Sequence, residues 1–193
     1  MPTIIQRHLI NILSLGFLLF AGCASAPPVL ISKSAAVPAG VNLSGTWLLR
    51  EGAGSMRLTI PGEPGIGPIP IGQQSRSRSA KRSSGTSAQV FLEFGKLLKI
   101  TQTDHGLFIS YDRSVVREYT FGENRLVSVG PIEAMRVSGW EEDTFVAETL
   151  DKDGTTLFEH WSLDGVDGVL VRDIRMQDGK EEKFSLTQLF DRK

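Results

Sequence analysis

Short runs in which apolar and polar residues alternate occupy the chain from Lys96 to Phe190 and predict β-strands. The runs cover residues 96–103, 107–111, 115–121, 125–129, 132–139, 144–150, 155–163, 169–176 and 181–190. Asp-Gly pairs at 153–154, 164–165 and 178–179 supply the positive φ angles that tight hairpins need. Parallel pairing would need longer crossovers than these turns allow, so we predict an all-β, antiparallel up-and-down meander.

Two earlier runs, at 45–50 and 55–60, extend the strand pattern toward the N-terminus, so we predict one β-domain over residues 42–193. Residues 61–90 interrupt it, because they are dense in Gly, Pro and Ser and have no apolar period. We predict a disordered insertion there, followed by a helical turn within 89–94. The basic side chains of the insertion are Arg76, Arg78, Lys81 and Arg82. They indicate either a solvated loop or a contact with anionic glycan or lipid head groups.

Residues 1–22 follow the plan of a signal peptide, with a weakly positive start and an apolar run from Leu9 to Gly22. This run is shorter than the roughly 20 residues that cross a bilayer. The sequence Phe20-Ala21-Gly22-Cys23 then resembles the lipobox of bacterial lipoproteins. The resemblance implies cleavage before Cys23 and modification of that cysteine with lipid chains such as palmitate. With Ala24 in the next position, it also implies export to the outer membrane.

A rival secretory cleavage site, Ala24-Ser25-Ala26, is disfavoured because Pro27 would follow the scissile bond. Residues 24–41 are rich in Ala, Pro and Ser and predict a flexible tether. At about 3.1 Å per residue, an extended tether of this length would reach some 50 Å from the membrane. We therefore predict that residues 23–41, the lipidated cysteine and its tether, hold the domain at the periplasmic face of the outer membrane.

The opening of the predicted domain, Leu43-Ser44-Gly45-Thr46-Trp47, resembles the Gly-x-Trp segment of lipocalins and of small bacterial lipoproteins with lipocalin-like barrels. The resemblance implies a β-barrel in which Arg192 near the C-terminus stacks on Trp47. On the residues alone, a β-sandwich or an open curved sheet is the alternative, and Trp47 would then simply fill one end of a β-core.

The charge and motif content exclude several classes of function. The chain has 21 Lys and Arg against 22 Asp and Glu, which gives no basic excess for nucleic acid. The motifs G-x-S-x-G, G-x-x-x-x-G-K-[ST], H-E-x-x-H and C-x-x-C are missing.

Two histidines, His105 and His160, would remain after removal of the leader. Residues 151–154 begin like a calcium loop but place the glycine one position early, which predicts a hairpin turn. We expect no catalysis, no cofactor and no metal.

Pairing the last strands predicts the side chains that share the core face. With the hairpin of 155–163 and 169–176 centred on Val166, His160 lies opposite Arg172. The apolar residues on this face are then Phe145, Ala147, Phe158, Leu170, Ile174, Met176, Phe184, Leu186 and Phe190. The same pairing puts Glu159 on the opposite face, together with Leu157, Trp161, Val146, Glu148, Asp173 and Arg175.

Three polar side chains, His160, Arg172 and Gln188, interrupt this predicted core face. Buried charge is costly unless it is paired, so an inward arginine indicates a partner, a water-filled cavity or a ligand. Two alternatives remain: the side chains reach solvent at a barrel mouth, or the register is shifted by one residue and they point outward. The ligand hypothesis is a pocket for a small anionic or amphipathic molecule, in which Arg172 binds the acidic group and His160 assists.

Alternate turns of a meander lie at the same end, and one set of turns here is acidic. Its carboxylates are Asp104, Glu123, Glu141, Glu142, Asp143, Asp164 and Asp167, with no Lys or Arg among them. Acidic residues are common in turns for conformational reasons, so the pattern indicates either ordinary turns or an end that attracts cations or a basic partner.

Together these patterns predict a membrane-anchored periplasmic lipoprotein with a non-catalytic β-domain that binds a small amphipathic or anionic ligand. The alternative is an interaction or scaffold module of the cell envelope, with an envelope protein as partner and no ligand pocket.

Overall fold

The computed structural model describes residues 29–58, 69–70, 87–165 and 168–193, with side chains described outside 53–58 and 69–70. Within these ranges the elements are β1 (Gly45–Leu58), β2 (Ile69–Pro70), a 3₁₀ helix (Ser87–Phe91), β3 (Leu97–Gln102), β4 (Gly106–Tyr111), β5 (Val115–Thr120), β6 (Glu123–Val129), β7 (Ile132–Glu141), β8 (Thr144–Asp151), β9 (Thr155–Asp164), β10 (Val169–Asp178) and β11 (Glu181–Arg192). The predicted signal peptide and Cys23 lie outside the described residues.

The strands form one antiparallel sheet that curls into a nearly closed barrel. Its order is β5-β4-β3-β1-β11-β10-β9-β8-β7-β6, with the short β2 added to β1. The first and last strands pair with each other, because Trp47 lies opposite Arg192. The prediction of an all-β, up-and-down meander is confirmed, and the sheet curls into a barrel rather than packing as a sandwich.

The two ends of the sheet, β5 and β6, meet at a seam that side chains bridge. Arg136 Nη2 donates a hydrogen bond to the Glu118 carbonyl oxygen at 2.8 Å, and Ser138 Oγ donates to the Thr120 carbonyl oxygen at 3.0 Å. These contacts satisfy carbonyl groups of β5 that have no strand partner on this side. The seam is therefore held by side chains of β7 that reach across from inside the barrel.

Inward side chains fill the barrel as two apolar clusters. The larger cluster contains Leu43, Trp47, Leu98, Ile100, Leu107, Ile109, Tyr111, Tyr119, Phe121, Trp140, Phe145, Ala147, Trp161, Leu170 and Phe190. The smaller cluster contains Ala88, Phe91, Ala134, Leu157, Ile174, Met176 and Leu186. Burial of these side chains removes apolar area from water and is the main term that stabilises the barrel.

Trp47 closes the larger cluster at one end of the barrel. Its indole Nε1 donates to the Leu43 carbonyl oxygen at 3.0 Å, so the buried donor is satisfied. The Arg192 guanidinium lies 4.4 Å from the centre of the Trp47 ring, which is the predicted stacking. Gly45 leaves room for this approach, because a Cβ there would lie 3.0 Å from Arg192 Nη1 and 3.2 Å from Trp47 Nε1.

Residues 33–43, here called the docked segment, cross the same end of the barrel. Ser34 exchanges two backbone hydrogen bonds with Trp140, at 3.2 and 2.9 Å. Lys33 Nζ contacts Glu141 at 2.5 Å and Glu148 at 2.6 Å. A Cβ on Gly139 would clash with the Ser34 carbonyl oxygen, so glycine is required beneath the segment. The predicted tether over 24–41 is therefore wrong from Lys33 onward, because the ion pairs of Lys33 and the packing of Val37 and Val41 on the larger cluster hold this part against the barrel.

The other end of the barrel is covered by the 3₁₀ helix, which the Asp151 carboxylate holds in place. Oδ2 of Asp151 accepts hydrogen bonds from Ser87 Oγ at 2.7 Å and from Ala88 N at 2.9 Å. Its Oδ1 accepts from the backbone N–H groups of Asp153 and Thr155. Residues 151–154 thus form the predicted hairpin turn.

The predicted insertion at 61–90 is wrong at its C-terminal end, because the side chain of Ala88 is fully buried in the smaller cluster. The helical turn predicted within 89–94 begins two residues earlier, at Ser87. The four basic side chains of the insertion, at residues 76, 78, 81 and 82, lie outside the described residues.

Candidate functional site

A layer of charged and polar side chains separates the two apolar clusters, and Arg172 lies at its centre. The Arg172 side chain is completely buried and forms an ion pair with Glu159. Its Nη1 donates to the Glu93 carbonyl oxygen at 2.9 Å and to Gln188 Oε1 at 3.1 Å. The guanidinium also lies 4.5 Å from the centre of the Trp161 ring. The charge of Arg172 is therefore already paired within the protein.

Two tyrosines complete the surroundings of this ion pair. Tyr119 Oη donates to Glu159 Oε1 at 3.3 Å, and the Tyr111 ring lies 5.5 Å from the Arg172 guanidinium. Burial raises the pKa of both tyrosine hydroxyls, and the negative charge of Glu159 adds to this effect. Both hydroxyls consequently stay protonated, and that of Tyr119 remains a donor to the buried carboxylate.

A second buried ion group lines the seam. Arg136 Nε donates to Glu123 Oε1 at 2.7 Å, and Ser138 Oγ donates to the same oxygen at 2.9 Å. Arg125 contacts the other oxygen of Glu123 at 2.7 Å. Glu123, which the sequence grouped with the acidic turns, is thus an interior residue whose charge is paired.

The predicted positions of Arg172 and Gln188 are confirmed, and the predicted position of His160 is wrong. Arg172 and Gln188 are register partners on β10 and β11, and both side chains are buried. On β9, however, Trp161 pairs with Arg172, while His160 pairs with Asp173 on the outer face. His160 therefore does not contribute to the layer around Arg172.

The register error has a definite cause. Asp164 pairs with Val169, so the loop between them has four residues, whereas a hairpin centred on Val166 needs an odd number. A shift by one residue moves every side chain of β9 to the other face. Glu159 and Trp161 consequently point inward and Phe158 outward, opposite to the prediction.

We expect the stability of the protein to depend on pH because the imidazole of His160 is half-buried. Burial lowers the pKa of its imidazole, and the Arg175 guanidinium adds to this effect. The folded protein then takes up this proton less readily than the unfolded chain, so stability should fall as the pH drops through about 6.5. Urea unfolding at about pH 7.5 and about pH 5.5 measures this loss. His160→Gln should show a smaller loss than wild type, and equal losses would contradict the assignment.

A cleft of about 370 Å³ opens on the wall of the barrel beside the Arg172 layer. It is lined by Leu49, Phe94, Gly95, Lys96, Asp112, Leu186 and Gln188. The pairing of β1 with β11 is broken between Leu49 and Gly54, next to this opening. Gln188 belongs to both regions. It lines the cleft, and it is part of the buried polar layer because its Oε1 accepts a hydrogen bond from Arg172. The cleft therefore connects the surface with the edge of the polar interior.

The walls of the cleft are mainly apolar, with few polar groups. Phe94 is 50% exposed, so its ring is available to an apolar ligand. Asp112 is committed to the fold, because its Oδ1 accepts from the backbone N–H groups of Lys96 and Leu97 at 3.0 and 2.8 Å. The exposed Lys96 side chain supplies a cation at the rim. This arrangement suits a ligand with an apolar body and an acidic or polar head.

The acidic end of the barrel is partly neutralised by the docked segment. Lys33 bridges Glu141, the last residue of β7, and Glu148 on the outer face of β8. Its side chain is only 6% exposed, although its charge is retained. Burial lowers the pKa of this ammonium, but the two carboxylates outweigh that effect and raise it above its ordinary value. At least one carboxylate of the predicted acidic end, that of Glu141, is therefore paired with a lysine of the same chain.

No family model matches the chain, and none of the curated proteins matches it significantly. Over the ranges that the structure describes, no helix is long and apolar enough to cross a membrane. In the same ranges no group of three or more His, Cys, Asp or Glu side chains is placed to hold a metal ion. The class of protein is therefore defined by the fold alone: a nearly closed, up-and-down β-barrel with a filled interior and an apolar cleft on its wall.

Proposed function

We propose that the protein is a lipid-anchored envelope lipoprotein of the outer membrane whose barrel binds a small amphipathic molecule and catalyses no reaction. The observation that carries this proposal is the cleft beside Gln188, with the apolar side chains of Leu49, Phe94 and Leu186 and the ammonium of Lys96. Its volume of about 370 Å³ lies within the range of small-molecule sites.

The cleft, rather than Arg172 itself, is the proposed binding site. An anionic ligand at Arg172 would have to replace Glu159, leaving a buried carboxylate without its partner. It would also have to displace Gln188 and the Glu93 carbonyl oxygen. A ligand in the cleft needs none of these changes, because the apolar walls already face an open space. Arg172 then contributes indirectly by holding Gln188 on the floor of the site.

Binding can be tested with a fluorescent fatty acid, 11-(dansylamino)undecanoic acid. Phe94→Asp removes an apolar wall and adds a charge that repels the carboxylate, so we expect affinity for the probe to fall at least tenfold. Phe108→Asp is the matched control, because Phe108 is a 37% exposed phenylalanine on the outer face of β4, away from the cleft. Equal affinities of the two variants would contradict the proposed site.

Anchoring is tested at Cys23, the single cysteine of the chain. In the native bacterium, Cys23→Ser should leave an unprocessed precursor without incorporated acyl label, because the sulfur that would carry the lipid is gone. Metabolic labelling with an alkyne-bearing palmitate analogue, followed by intact-mass measurement, gives both results. A Cys23→Ser protein that is still trimmed and labelled would refute the proposal.

A second candidate function is an interaction module that binds an envelope protein. It is favoured by four exposed apolar side chains on the strands that flank the seam, namely Phe108, Val116, Leu126 and Met135. Leu126 and Met135 are cross-strand partners, so they form one apolar pair on the outer surface. For this function, Phe108→Asp and Met135→Asp would abolish cross-linking to a partner in intact cells, whereas Phe94→Asp would not.

A further inference from the structure

Two exposed apolar side chains precede the docked segment. Val29 is 81% exposed and Ile31 is 74% exposed, while Lys33 and Ser34 immediately after them are fixed to the barrel. Exposed apolar side chains are common on proteins, and these two are distinguished by their place in the chain, directly before residues that are fixed to the barrel. The contacts of Lys33 and Ser34 determine where the chain leaves the barrel, and they therefore restrict where Val29 and Ile31 can lie.

The pairing of Ser34 gives the direction in which this chain runs. Ser34 and Trp140 form an antiparallel bridge, so residues before Ser34 run toward the β7–β8 turn, where Glu142 has a φ of 50°. Val29 and Ile31 therefore lie at the end of the barrel that carries the turns β3–β4, β5–β6 and β7–β8. The cleft lies toward the opposite end, because Asp112 belongs to the β4–β5 turn.

The chain between the proposed lipid and the barrel is short. Cys23 precedes Val29 by six residues and Lys33 by ten. At most about 3.6 Å per residue, these stretches reach roughly 22 and 36 Å when fully extended. The barrel thus lies much closer to the bilayer than a tether ending at Val41 would allow, and Val29 and Ile31 lie within reach of the lipid head groups.

We infer that Val29 and Ile31 insert into the bilayer interface and that the docked segment holds the barrel in one orientation, with its acidic end toward the membrane and its cleft away from it. This inference rests on the proposed lipidation of Cys23. The partner is the apolar boundary of the bilayer rather than its charge, because exposed carboxylates of Asp104, Glu142 and Asp143 lie at the same end and would be repelled by anionic head groups.

The orientation can be measured on the mature, lipidated protein extracted from its own membrane. With Cys23 blocked by lipid, Ile31→Cys provides one free thiol for an NBD fluorophore, and Lys180→Cys provides the control in the exposed β10–β11 turn at the opposite end. Each labelled protein is reconstituted into vesicles of phosphatidylethanolamine with a minority of phosphatidylglycerol. Quenching by a nitroxide-bearing lipid and by aqueous iodide is then compared.

We expect the label at residue 31 to be quenched several-fold more by the nitroxide lipid than the label at residue 180, and to be shielded from iodide. Equal quenching at the two positions would overturn the inference. Intact mass and thiol titration of the same samples separate the two proposals. An acylated protein whose residue 31 stays open to iodide overturns the orientation alone, whereas an unmodified Cys23 overturns the anchor and the orientation with it.

Discussion

Arg172→Met should lower the free energy of unfolding by about 3–5 kcal/mol, the usual cost of removing one partner of a buried ion pair. Methionine keeps much of the side-chain volume, so the loss does not come from a large cavity. It comes from Glu159, whose side chain is 4% exposed and would keep its charge without a cation. The Glu93 carbonyl oxygen and Gln188 would each lose a donor as well.

From the sequence alone, Arg172→Met would be expected to leave stability unchanged or raise it slightly, unless the substitution left a buried partner of Arg172 unpaired. The structure shows that Glu159 is such a partner. Urea unfolding monitored by tryptophan fluorescence measures the change. The double variant Arg172→Met with Glu159→Leu should recover most of the stability, because both charges are then removed. Arg175→Met is the matched control on the exposed face of β10 and should change stability by less than about 1 kcal/mol. A single Arg172→Met variant as stable as wild type would contradict the assigned ion pair.

Asp151→Asn should cost about 2–3 kcal/mol and loosen the 3₁₀ helix at Ser87–Phe91. An amide has one accepting oxygen where the carboxylate has two, so it cannot accept from Ser87 and Ala88 while also accepting from both turn N–H groups. The Ala88 N–H is buried and would then lack an acceptor. Loss of this hydrogen bond should therefore reduce the protection of the Ala88 amide and lower the global stability.

Hydrogen exchange of the Ala88 amide and urea unfolding measure the two effects. Asp153→Asn is the matched control, because Asp153 is exposed and its contact with Ser87 Oγ is only 3.4 Å. The control should exchange like wild type. Unchanged protection of Ala88 in the Asp151 variant would show that the carboxylate does not hold the helix.

The strand pattern could be predicted because period-two alternation is a local property of the chain. The loop did not show which face of β9 points into the barrel. Adding or removing one residue at 165–168 decides whether Phe158 and His160 or Glu159 and Trp161 point inward. A signal was nevertheless present. The face with Leu157 and Trp161 is more apolar than the face with Phe158 alone, and this difference favours the observed register.

Other parts of the site depend on contacts between distant residues. Arg172 and Glu93 are 79 positions apart, and no local pattern indicates that the backbone at Glu93 accepts from that arginine. The docking of Ser34 on Trp140 is of the same kind, since it needs the bare backbone at Gly139 beneath it. The composition of residues 24–41 is typical of a linker, and the folded barrel supplies the surface that orders its second half.

Native mass spectrometry of the lipidated protein, purified from its own membrane in mild detergent, tests the proposed ligand site most directly. We predict one amphipathic molecule bound to each wild-type barrel beyond the lipid on Cys23. We predict the same adduct on Phe108→Asp and its loss from Phe94→Asp. A wild-type spectrum that shows only the acylated chain, or an adduct that survives in Phe94→Asp, would contradict binding in the cleft.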